Sequence, residues 1–263
     1  MLDVKALFTF RSQRRSHAEW VVSTLAGIGF LIIWQLLAQL EVLPRQFLPL
    51  PWSVVSALYT MLRDHSFLTD IGVSMARVWA AFLLSVVVAV PLGVWMSTYR
   101  VVAAATEPII DFIRYLPVPA LVPLLIIWLG VGESSKIAVL WMGTFFQLVL
   151  MVSDDARRVP KEYVEIGLTL GAKPFEIVRD IIFHSMLPNL VDNLRITLGW
   201  CWTYLIIAEI VASNSGIGHV IWSMRRFVKT PEVMAGILTV GLIGLVTDQL
   251  FRLIHRAYFR YLG

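Results

Sequence analysis

Six apolar runs long enough to cross a bilayer recur along the chain, at about 20–40, 70–97, 106–129, 135–153, 189–212 and 233–254, a spanning helix needing roughly twenty mostly apolar residues. The pattern predicts an all-α membrane protein of about six transmembrane helices. The third run differs from the rest. Glu107, Asp111 and Arg114 fall within it, and Pro117, Pro119 and Pro123 interrupt its second half. Proline in a spanning helix frees backbone groups that neighbours or water must satisfy, so this segment is expected in the core of the bundle, lining the path. Two polar stretches, 41–68 with Pro44, Pro49 and Pro51, and 213–232, read as short amphipathic pieces along the surface. A third, Glu165–Pro188, is an ordered, charge-bearing interruption between the fourth and fifth runs. No internal repeat, linker or low-complexity tract divides the chain. It reads as an N-terminal segment, 1–19, followed by a single membrane domain over 20–263, with the polar loop at about 154–188.

Composition supports the membrane class. The chain is 58% hydrophobic and 15% charged, with a mean hydropathy of +0.75, where a soluble domain sits near half apolar and a quarter charged. Lys and Arg set the orientation. With the N-terminus inside, the inner segments carry Lys5, Arg11, Arg14, Arg15, Arg100, Arg157, Arg158, Lys161, Lys173, Arg179, Arg252, Arg256 and Arg260. The outer ones carry only Arg45, Arg63, Lys136, Arg225, Arg226 and Lys229. This bias of about two to one puts both termini and the 154–188 loop in the cytoplasm. The first apolar run is longer than a signal core and no small-residue cleavage site follows it, so it is expected to remain as a helix. Cys201 has no partner for a disulfide and no metal-ligand companions, and reads as a buried small hydrophobe. The basic excess forms no stripe with interleaved aromatics, which argues against nucleic acid as a partner. The five histidines are scattered, and Glu133-Ser134-Ser135-Lys136 lacks the spacing of a phosphate-binding loop.

Three stretches carry a family pattern. Phe47-Leu48-Pro49-Leu50-Pro51 follows the first run. Arg114-Tyr115-Leu116-Pro117-Val118-Pro119-Ala120 continues through Pro123 to Trp128-Leu129-Gly130-Val131-Gly132-Glu133-Ser134-Ser135-Lys136. The third is Glu165-Ile166-Gly167 with Gly171-Ala172-Lys173-Pro174 and Ile181, then Ala208-Glu209 and Gly216-Ile217-Gly218. Together they resemble the permease subunits of bacterial ABC importers, specifically the nitrate, sulfonate, taurine and bicarbonate type. The third resembles the cytoplasmic coupling loop, with departures: Ile166-Gly167 stand where two alanines are usual, and Phe183-His184 where Leu-Pro is usual, a Leu-Pro coming instead at Leu187-Pro188.

The resemblance implies a type I ABC importer permease-like fold in the cytoplasmic (inner) membrane, working as a non-catalytic pore. Its partners would be an ABC ATPase subunit that binds ATP and Mg, an extracytoplasmic solute-binding protein and a second permease copy, most simply a homodimer. No cofactor is expected in this chain. Glu165, Gly167, Gly171, Ala172, Lys173 and Pro174 are the expected ATPase-coupling residues, with glycine where a helix presses closely into a partner's groove, Pro174 suited to a first helical turn, and Glu165 capping a helix start or meeting a partner arginine. Ionisable groups at spanning depth are costly, so Arg77, Asp111, Arg114 and Glu209 call for a role, pairing that steadies the bundle or contact with the solute. With Pro117 and Pro119 of the interrupted segment they are assigned to a possible translocation path, Arg77 and Arg114 being the cations an anion would meet. Asp111 with Arg114, and Asp192 with Arg195, are spaced to pair on one helix face. The resemblance points to a small anion or sulfonate-like solute. A self-contained, ion-coupled secondary transporter is the alternative; it calls for an inverted hydropathy repeat, which is not found, and leaves the polar loop unexplained.

Overall fold

The computed structural model describes residues 17–260, and these form helices joined by short turns, with no strand among the described residues. In chain order they are α1 (His17–Gln39), α2 (Pro51–Arg63), α3 (His65–Thr98), α4 (Arg100–Arg114), α5 (Val118–Leu129), α6 (Glu133–Arg157), α7 (Lys161–Thr169), α8 (Pro174–Glu176), a π-helical turn (Ile177–Ile182), α9 (Phe183–Ala212), α10 (Ile217–Arg226) and α11 (Thr230–Tyr258). Five stretches are long and apolar enough to cross a membrane, and α4 with α5 would make a sixth. The basic N-terminal segment, with Lys5, Arg11, Arg14 and Arg15, lies outside the described residues.

Local chemistry sets the boundaries. Asp64 caps α3 by accepting the Ser66 N–H at 2.9 Å, which also holds the Asp64 carboxyl below the usual carboxylate range. Pro51 opens α2 and Pro174 opens α8, positions where the missing N–H costs nothing. The two polar stretches expected as short amphipathic pieces contain α2 and α10.

Two expectations change. The third apolar run is not one helix: α4 and α5 meet at 105°, because Pro117 and Pro119 deny the backbone the hydrogen bonds of a continuous helix. The polar loop is shorter than 154–188. Helix α6 runs on to Arg157, and a helical stretch from Pro174 to Val211 absorbs the whole amphipathic run, including Leu187-Pro188. Pro188 sits inside α9 and does not end it, since neighbouring helices supply packing that offsets one lost hydrogen bond. What remains between the spans is a compact hairpin around α7.

Helix α3 packs along α6, and α9 closes on both. Gly93 makes the α3–α6 approach possible, since a Cβ there would lie 2.7 Å from the Val149 carbonyl oxygen, and Ser85 and Thr144 hydrogen-bond across the same seam at 3.0 Å. One apolar cluster joins Val78, Phe82, Val122, Leu140, Leu198, Cys201 and Leu205. A second, nearer the α7 hairpin, joins Met96, Ile110, Leu148, Val152, Ile177, Ile182 and Met186. Helix α1 stands almost unburied beside α2, tied by the Trp34 indole N–H donating to the Pro49 carbonyl at 3.0 Å.

Candidate functional site

The hairpin around α7 is built from a helix stop followed by a helix start. Gly171 has φ +82°, and its N–H donates to Leu168 while Ala172 N–H donates to Gly167, both at 3.0 Å. This is the paired C-terminal cap that needs a left-handed residue. Lys173 N–H then donates to the Glu176 carboxylate at 2.7 Å, closing the first turn of α8. The two glycines therefore serve different ends. A Cβ on Gly167 would lie 2.5 Å from Ile181 Cδ1, so the small residue permits packing within this chain, whereas Gly171 has open space around it and is present for its backbone. Glu165 caps no helix start: it lies inside α7, exposed. The outward face of the hairpin presents Ile166, Leu170 (82% exposed) and Phe175 (69% exposed), with Glu162 and Glu165 beside Ile166 and Leu170 in one shallow groove. Ala172 is partly buried against the second apolar cluster, and Lys173 and Pro174 are exposed.

At the opposite end of α9 lies a buried polar network. Arg77, 2% exposed, uses all five N–H groups. Nε and Nη2 donate to the two oxygens of Glu133 at 2.6 and 2.7 Å, Nη1 donates to Glu209 at 2.7 Å, and the Ser215 carbonyl and hydroxyl take the remaining two at 2.9 and 3.0 Å. Glu209, fully buried, also accepts from the Ser74 hydroxyl and the Gly218 N–H, each at 2.7 Å. Asp70 accepts from Gly216 N–H at 2.6 Å and Ser74 Oγ from Ile217 N–H at 2.9 Å. The first N–H groups of α10, orphaned in any helix, are thus capped by side chains of α3 and α9. Lys136 adds a third cation–carboxylate contact, to Glu133 at 2.9 Å. Gly216, at φ +107°, leaves room for Glu209, whose Oε1 would be 2.4 Å from an added Cβ.

Midway along α6, the bend between α4 and α5 leaves a cavity of about 390 Å3. Arg114, Tyr115, Pro117 and Pro119 line it from the bend, Met142, Gly143, Phe146 and Gln147 from α6, and Trp200 and Tyr204 from α9. Arg114 pairs with Asp111 at 3.0 Å and lies over the Tyr115 ring, 4.4 Å from its centroid. Arg195 pairs with Asp192 at 3.2 Å and with Asp248 at 3.0 Å. Both spacings read from the sequence as pairs are ion pairs. The path residues fall in two separate places: Asp111, Arg114, Pro117 and Pro119 at the bend, Arg77 and Glu209 in the saturated network. Sequence reasoning missed Ser74, Asp70 and Ser215 in the network and Gln147, Trp200 and Tyr204 at the cavity. Glu133, Lys136, Gly216 and Gly218 entered the sequence reading only as members of the family stretches.

Residues 85–260 match the family described as binding-protein-dependent transport system inner membrane component. A putative ABC transporter permease protein of Methanocaldococcus jannaschii is 33% identical over 87% of this chain and 87% of its own. The taurine transport system permease protein of Escherichia coli is 29% identical, covering 89% of this chain and 86% of its own. The nitrate import permease protein of Synechocystis is 27% identical over 83% of this chain and 82% of its own. Among solved structures, an inward-facing form of the MetNI methionine ABC transporter superposes with a TM-score of 0.58 at 20% identity, covering 78% of this chain and 98% of that one, a likeness of fold.

Proposed function

The chain belongs to the binding-protein-dependent transport system inner membrane components, multi-pass membrane proteins, and from that premise we infer how this permease subunit of an ABC importer is driven and what it carries. It supplies the solute's route and hydrolyses nothing itself. We place ATP and Mg on a separate ATPase chain, docked on the α7–α8 hairpin at the cytoplasmic face, with both termini on that side. Two copies of the chain form the pore, and a solute-binding protein delivers to its outer end. The relatives named for taurine, aliphatic sulfonate and nitrate support a small anion as the solute.

The observation that carries the coupling reading is the hairpin. It exposes Ile166, Leu170 and Phe175 outside the spans, on a scaffold held rigid by the Gly171 cap and by Gly167 against Ile181. Exposed apolar groups on a rigid polar element mark an interaction surface. The test is a mild-detergent purification of the tagged chain with mass spectrometry of what accompanies it. An ATPase subunit near equal stoichiometry, lost in Leu170→Glu and in Phe175→Glu, is the expected result. Retention of that subunit by both variants would move the docking site elsewhere. A chain that purifies alone, with uptake following an ion gradient, would overturn the reading.

A further inference from the structure

The cavity at the α4–α5 bend holds more hydrogen-bond donors than it uses. Arg114 gives Nε to Asp111 and one Nη2 hydrogen to the Tyr115 hydroxyl, at 2.9 Å, and its Nη1 has no partner among the described residues. The Gln147 carboxamide, the Tyr204 hydroxyl and the Trp200 indole N–H, on the same wall, have none among them either. Arg77 differs in every respect: it is sealed from solvent and each of its N–H groups is taken. Donors left open at spanning depth are costly unless something accepts from them. Asp111 does not line the cavity, so the only ionised side chain on its wall, among the described residues, is the Arg114 guanidinium, which keeps donors on both Nη atoms free for a planar or tetrahedral oxyanion. The rest of the wall is apolar, with Ile113, Leu121, Met142 and Phe146.

We propose that this cavity is a transit subsite for a small organic oxyanion, its charged head on Arg114, Gln147 and Tyr204 and its short apolar tail against Met142, Phe146 and Leu121. The proposal rests on the permease reading and narrows the path to one of the two cations assigned to it, Arg77 and Arg114. Arg77 holds the outer end of the bundle together, and Arg114 meets the solute. Gly143 helps to shape the subsite: a Cβ there would lie 2.4 Å from the Tyr204 ring, so the glycine lets that ring seat on α6 beside the cavity.

The probe is ethanesulfonate, with ethyl methyl sulfone as the uncharged control, in saturation-transfer NMR on the purified full-length chain in detergent. Transfer to the ethanesulfonate ethyl protons is expected in the wild type and not to the sulfone. Arg114→Gln should weaken the apparent affinity about tenfold or more, the loss of a charge-assisted hydrogen bond. Gln147→Leu and Tyr204→Phe should weaken it less, Arg114→Lys should restore part of it, and Arg252→Gln, off the cavity, should leave it alone. Equal transfer in the wild type and Arg114→Gln, or equal transfer to the sulfone, overturns the subsite. If Arg114→Gln does not fold, Gln147→Leu and Tyr204→Phe decide, and unchanged binding in both overturns it. ATPase co-purification on the same preparations separates the two readings. A wild-type chain with no ATPase partner defeats the permease coupling, whereas an assembled chain with no Arg114-dependent transfer defeats the subsite alone.

Discussion

Replacing Arg77 by methionine strands Glu209, a carboxylate with no exposure to solvent. At the 2.7 Å separation of the pair, an effective dielectric of about 20 gives a gross attraction of ~6 kcal/mol, much of it offset by the desolvation of both ions. The net loss expected for removing one member of a buried pair is about 3–5 kcal/mol. Glu209→Met is milder, because Arg77 keeps the bidentate contact with Glu133. It still unpairs the Ser74 hydroxyl and the Gly218 N–H, at a cost of about 2–4 kcal/mol for two buried donors. The double variant leaves neither charge of the pair uncompensated, so its cost should fall short of the sum by about 2–3 kcal/mol. Unfolding free energies of the four proteins from SDS titration in mixed micelles give the coupling directly. A coupling below about 0.5 kcal/mol would mean that the two residues act independently. The network would then not be the element that fixes α10 to α3 and α9.

Other substitutions separate backbone from side-chain roles. Gly216→Ala combines a φ of +107° with a Cβ 2.4 Å from Glu209, and should cost about 3 kcal/mol from strain and overpacking, read as a lowered melting temperature in detergent. Gly171→Ala should weaken ATPase co-purification through a left-handed strain of about 1–2 kcal/mol, while Gly171→Asn, which tolerates that conformation, should retain it; the opposite order would assign Gly171 to the contact itself. Gly143→Ala must displace the Tyr204 ring and should cost about 1–3 kcal/mol, measured as the same melting shift, together with loss of ethanesulfonate transfer.

Much of the architecture is legible in the order of apolar runs, because in a bilayer length and hydropathy decide whether a segment becomes a spanning helix. The breaks are legible in kind and not in geometry. Pro117 and Pro119 announce an interruption, but the 105° turn depends on what fills the space, and Met142, Phe146 and Trp200 are silent members of apolar runs. Glycine gives the clearest case of a right position with a different physical reason. Gly167 and Gly171 sit in one motif, and both invited the same account of close approach to a partner. The structure gives the first to Ile181 of this chain and the second to a helix stop. Charges behave alike in this respect: Arg77 and Glu209 stand out as ions at depth and Glu133 stands in a turn between two spans, yet separations of 56 and 132 residues hide the fact that Arg77 pairs with both carboxylates.

The same helical stretch, Pro174 to Val211, carries one end of the hairpin, the cavity residues Trp200 and Tyr204, and Glu209. At 1.5 Å per residue its 38 residues span ~57 Å, so a rigid displacement of the hairpin would reach both the cavity and the Arg77–Glu209 network without any further relay. Two features along it can absorb such a displacement: the π-helical turn Ile177–Ile182 and Pro188. Both lie on the hairpin side of the cavity, so a flexing joint there would move the hairpin and leave Tyr204 in place. Ile177 and Ile182 are buried in the second cluster with Leu148 and Val152 of α6, which ties the turn to the bundle and opposes that flexing. The packing of those two isoleucines, and not the length of the helix, therefore decides whether the hairpin and the cavity move as one body.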